Sequence, residues 1–149
     1  MTLPELHLSE WRATRDTLHL YCQIVGKIRL ATTAPRNHWW NVPLYADVRG
    51  LTTRRMHHRE TTFEIAFDFV DHALEILTSD GRSNSLELAD GLSVAEFDTG
   101  VHRMLGELGI DVEIKEEPFG VPMKTPFGRD TEHASWDRDA VERFGQILD

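Results

Sequence analysis

The run TTFEIAFDF at residues 61–69 constrains the fold more than any other stretch. Phe63, Ile65, Phe67 and Phe69 alternate with Thr62, Glu64, Ala66 and Asp68, a period of two that buries one face of a strand and leaves the other polar. The pattern repeats almost at once. Asp71-His72 turns the chain into Ala73–Thr78 with Leu74 and Ile76 inward, and Asp80-Gly81 is a hairpin signal leading into Ser83–Leu88. Connections this short join antiparallel neighbours, because a parallel pair needs a long crossover. A further alternation lies upstream, where Trp40, Val42, Leu44, Ala46 and Val48 share one face; Pro43 places that strand at an edge or a bulge. With Gly50–Glu60 read as a connecting loop, the prediction is a four-stranded antiparallel meander.

Helical periodicity brackets the strands. Ser9 can cap a first helix from Glu10 to about Leu30, with Trp11, Leu18, Leu20, Tyr21, Cys22, Ile24, Val25 and Ile28 on one broad apolar arc. An arc this wide calls for burial on more than one side. In the second helix, Ser93 and Glu96 form a capping box, Phe97, Val101, Met104, Leu105 and Leu108 make a covering face, and Gly109 stops it. Asp111–Lys115 reads as a short fifth strand, residues 116–135 as an irregular wrapping segment with three prolines, and Asp137 as the cap of a C-terminal helix. The expected class is α+β: long N-terminal amphipathic helix, meander, covering helix, fifth strand, C-terminal helix. At 149 residues with 40% hydrophobic content, the chain supports one domain spanning 1–149.

Charge narrows the partners. A formal net charge of −9 argues against nucleic acid and anionic membranes, and no apolar run spans a bilayer. A single cysteine, Cys22, and an N-terminus without a signal pattern fit a cytoplasmic protein. There is no phosphate-binding glycine loop, nucleophile elbow, HExxH motif or paired CxxC, so no cofactor is expected. His57-His58 is a poor metal pair, since neighbours on a strand point apart, and no metal site is expected. Cys22, inside the apolar arc, reads as a small hydrophobe. His72, His102 and His133 are isolated, and His72 in a hairpin and His102 beside Asp98 read as surface histidines.

Two sets of residues invite a binding role. Arg15, His19, Gln23 and Lys27 recur every four residues and line one ridge of the first helix. They suit a small anionic ligand, with His19 the candidate acid or base; the ordinary alternative is a solvated helix face. In PRNHWWNVPLY at 35–45, Trp40 belongs to the core face, whereas Trp39 and Tyr45 point the other way, with His38 beside them. Arg15, His19, Gln23, His38, Trp39 and Tyr45 are therefore the candidate ligand residues, around a pocket between the first helix and the first strand.

The ordered segments TRDTLHLYCQIVGKIRL, NHWWNVPLY, FDFVDHALEILTSDGRS and HASWD resemble an uncharacterised bacterial family, a domain of unknown function. The resemblance implies longer members, of which this chain looks like the N-terminal half, and it implies no activity. The broad arc of the first helix favours an interaction or self-associating domain, with a homodimer or a second half-domain as partner. A small-molecule binding domain or enzyme acting on an anionic metabolite is the other expectation.

Overall fold

A computed structural model describes residues 2–32 and 44–148. The chain is α+β, with three helices and an antiparallel sheet in the order α1 (Leu8–Thr32), β1 (Tyr45–Ala46), β2 (Gly50–Thr52), β3 (Met56–His58), β4 (Thr61–Asp68), β5 (Ala73–Thr78), β6 (Ser83–Glu87), α2 (Val94–Glu107) and α3 (Arg138–Ile147). Strands follow the path β1-β2-β4-β5-β6, and β3 also pairs with β4. The alternation in TTFEIAFDF sets the inner face. Phe63, Ile65, Phe67 and Phe69 are buried beneath the helices together with Leu74 and Ile76.

Helix periodicity carries through to packing. All five expected residues of α2 are buried, Ser93 Oγ accepts the Glu96 N–H at 3.1 Å, and Gly109 takes φ 77° beyond the helix end. The arc of α1 is also consumed by the chain's own core. Tyr21 stacks on Phe97 of α2 at 4.0 Å between ring centres, Trp11 meets Phe144 of α3 at 5.0 Å, and Ile24, Val25 and Ile28 are fully buried. Burial on several sides thus comes from α2, α3 and the sheet. Trp11 has non-helical dihedrals, which kinks the first turn, so Ser9 lies inside the helix instead of capping it.

Two expectations change. Gly50–Glu60 is not a loop: it carries two short strands, β2 and β3, separated by a bulge. β2 pairs in the register Gly50↔Asp68 to Thr52↔Ala66, while β3 pairs as Met56↔Phe63 to His58↔Thr61, a slip of one residue. Arg54, at φ 59°, absorbs the extra residue, and Thr53 Oγ1 takes the Ile65 N–H that the interrupted ladder leaves over. The slip turns Met56 into the core and His57 out to solvent. The sheet therefore has six strands instead of four. Second, Asp111–Lys115 has no ladder partner among the described residues. Val112 and Ile114 pack against the core, so their alternation reports one-sided burial and not strand pairing. Of the first strand, only Tyr45–Ala46 is seen as strand; Trp40 and its neighbours lie outside the described residues.

Replacing Leu105 with Ala in the centre of the α2 face is expected to cost about 2–5 kcal/mol in denaturant unfolding, the range for truncating a buried leucine.

Candidate functional site

The ridge of α1 is engaged by the chain itself. The Gln23 carboxamide clasps Phe119 in both directions, donating to its carbonyl at 2.7 Å and accepting its N–H at 2.8 Å. Lys27 donates to the carbonyls of Lys115 (2.9 Å) and Glu117 and lies over the Phe127 ring. His19 hydrogen-bonds Gln23 at 3.1 Å, and Arg15 forms an exposed ion pair with its neighbour Asp16. The ridge therefore binds a backbone segment along part of its length. Tyr45 lies apart from it, near Arg29 and with the Arg54 guanidinium 3.9 Å above its ring. His38 and Trp39 lie outside the described residues. Cys22, partly buried, packs against the core, and burial pushes its thiol up to about 12, which disfavours the thiolate.

Polar groups converge elsewhere, in a cleft of about 360 Å³ between α3 and the turns following β1 and β4. Val48, Phe69, Val70 and Gly145 provide apolar wall; Arg49 and Glu142 provide charge. The β1–β2 turn is built on Asp47, whose Oδ1 accepts the N–H groups of Arg49 and Gly50 at 2.9 Å each. Gly50 is required by close approach: a Cβ there would stand 2.1 Å from the Phe67 carbonyl oxygen. The β4–β5 turn is built the same way, with Asp68 Oδ1 accepting from Val70 and Asp71. Arg49 then joins the two turns, reaching Asp68 Oδ2 at 2.8 Å and Asp71 Oδ2 at 2.9 Å. Burial works to raise the Asp68 pKa, but the hydrogen bonds from Arg49 and from the two backbone N–H groups outweigh it and hold the carboxyl below its ordinary value.

Behind the cleft lies a histidine that the sequence reading placed on the surface. His72 is fully buried at φ 53° in the β4–β5 turn. Its Nδ1 is 3.0 Å from the indole Nε1 of Trp136, and its Nε2 is 2.9 Å from Glu142 Oε1. An indole N–H can only donate, so Nδ1 is the acceptor and the ring hydrogen resides on Nε2, where it is donated to Glu142. The relay Trp136–His72–Glu142 holds one carboxylate oxygen in place while the side chain remains 48% exposed. Nothing local in the sequence announces this. Trp136 stands 64 residues from His72, and Glu142 is one of 25 acidic residues.

No group of three His, Cys, Asp or Glu side chains suited to a metal ion occurs among the described residues, and none of their helices is long and apolar enough to cross a membrane. Residues 3–149 match the model of a family of unknown function, DUF5996, and the chain belongs to that family. No curated protein and no solved structure matches it.

Two outcomes test the geometry. Trp136→Phe removes the donor to a buried acceptor and is expected to cost about 1–3 kcal/mol in denaturant unfolding. The lowered pKa of Asp68 means its contribution is present above the unfolded-state value and lost as pH falls through the folded one. Arg49→Gln is therefore expected to shift the acid-unfolding midpoint to higher pH.

Proposed function

We propose that the chain is a small-molecule binding domain whose ligand occupies the cleft between α3 and the two turns. The observation that carries this is the Trp136–His72–Glu142 relay: a fully buried histidine aligns a half-exposed carboxylate at the wall of the cleft. Glu142 takes a hydrogen-bond donor of the ligand, Arg49 on the opposing turn offers donors to an acceptor, and Val48, Phe69 and Val70 hold its apolar part. The ligand class is thus a small molecule that carries both a donor and an acceptor. The anionic-ligand site on the α1 ridge is the weaker placement, because Gln23 and Lys27 are already bonded to residues 115–119.

Self-association remains the second reading, and one observation favours it. Val48 is 100% exposed beside the half-exposed Val70, an apolar rim that a second copy would cover. The wide arc of α1 no longer supports it, since that arc lies within the core.

A thermal-shift screen against small polar metabolites separates the readings. The cleft reading expects stabilising ligands whose effect disappears in Glu142→Gln, which keeps an acceptor for His72 but removes the charge, and persists in Arg15→Ala. Saturation at 100 times Kd is worth about 2.7 kcal/mol of stability. Ligands lost in Arg15→Ala and retained in Glu142→Gln would place the site on the ridge. A dimer in sedimentation that Val48→Asp converts to monomer would favour self-association.

A further inference from the structure

Residues 110–126 form no helix or strand, and polar groups hold their central part. On one side are the Gln23 clasp on Phe119 and the Lys27 bonds to the carbonyls of Lys115 and Glu117. On the other side the carboxyl of Glu116 meets that of Asp98 on α2. The two converge on Gly128, whose N–H donates to Glu116 Oε2 at 3.3 Å. A Cβ on Gly128 would lie 3.6 Å from Asp98 Oδ2 and 3.9 Å from Glu116 Oε2, so the glycine leaves room for both. Asp98 is only 5% exposed, and its Oδ1 is buried without a hydrogen bond. His102 Nδ1 lies 3.3 Å from that oxygen and is aligned with the Asp98 main-chain carbonyl at 2.9 Å.

We propose that Asp98, Glu116 and His102 form a proton-operated latch that holds residues 115–119 over the polar ridge of α1 and releases them when its protons are lost. Two adjacent carboxyls hold together by sharing a proton and repel when both ionise. A protonated His102 offsets part of that repulsion. The charged groups around Glu116 are Asp98 and His102 from α2, Lys27 from α1, and Lys115 and Glu117 on its own segment. Burial, then the carboxyl of Asp98, push Glu116 above its ordinary value, and the Asp98 carboxyl beside its ring, together with the Asp98 main-chain carbonyl it bonds, raises His102. Both folded-state values are raised, so the latch is fully closed on the acid side and weakens as pH rises. The first step lies above 4.5 and the second above 6.5, the unperturbed values of Glu and His. Lys27 pulls the other way through its attraction to Glu116 and Glu117, but burial outweighs these and lowers its own pKa. Opening frees Gln23 and Lys27, which then join the already exposed Arg15 and His19 along the ridge.

Amide hydrogen exchange from pH 4.5 to 8.5, corrected for intrinsic rates, tests this on the intact chain. The reporters are the N–H groups of Phe119, Phe127 and Gly128, all bonded across the segment, with Ile65 in β4 as the core reference. Their protection is expected to fall about tenfold for each unit by which the latch pKa values exceed those of the open form, while that of Ile65 stays level. Glu116→Gln, whose amide donates to Asp98 at every pH, is expected to abolish the lower step, and His102→Gln the upper one. Wild-type protection that stays constant across the range overturns the latch. So does a Glu116→Gln variant with the same pH profile as the parent.

Discussion

A buried indole N–H must find an acceptor, and in this chain it finds one in His72. That demand organises the segment from Asp130 to Asp137. To bring Trp136 under the β4–β5 turn, its own N–H bonds Asp90, the Ala134 carbonyl accepts from Gly91, and the His133 carbonyl accepts from Val94 at the start of α2. Thr17 and Thr14 of α1 accept the N–H groups of Ser135 and Asp137, and Asp137 then caps α3. One short stretch thereby meets all three helices and the sheet. The aromatic stack of Tyr21 between Phe97 and Trp136 lies on the same junction. Glu142 inherits its position from this arrangement, because the imidazole that Trp136 orients has a single direction left in which to donate.

What was legible in the sequence follows from the range of each interaction. The α+β class, the inner face of β4 and the covering face of α2 depend on local periodicity, so Phe63 to Phe69 and Phe97 to Leu108 were readable directly. The candidate site was not. His72 looks like a turn residue until Trp136 is placed beside it, and Arg49 looks like a surface charge until the β1–β2 and β4–β5 turns, both built on an aspartate that accepts two backbone N–H groups, are side by side. The ridge of α1 misleads for a related reason. A polar stripe on a helix is satisfied equally by water, by a ligand or by the backbone of its own chain, and four-residue spacing does not distinguish them.

The molecule thus uses polar side chains in two contrasting ways. At the cleft, Asp47 and Asp68 spend their oxygens on backbone N–H groups and stiffen the turns that carry Arg49 and Val70. Along residues 115–119, side chains of α1 bond backbone groups that have no ladder to join. The first arrangement repeats within rigid hairpins anchored in the sheet; the second rests on few apolar contacts, the kind of region that opens locally before the rest unfolds.

The bulge at Thr53–Arg55 carries a consequence for how this edge tolerates changes of length. Side chains on a strand alternate, so removing the extra residue would make the ladder regular and leave Thr53 opposite Ile65 and Met56 opposite Phe63, both still inward. A deletion of one residue there would preserve the faces, whereas losing two would send Met56 outward and His57 toward Phe63, acting as several core substitutions at once. A stretch with the composition of a permissive surface loop, rich in arginine and histidine, is therefore bound by parity.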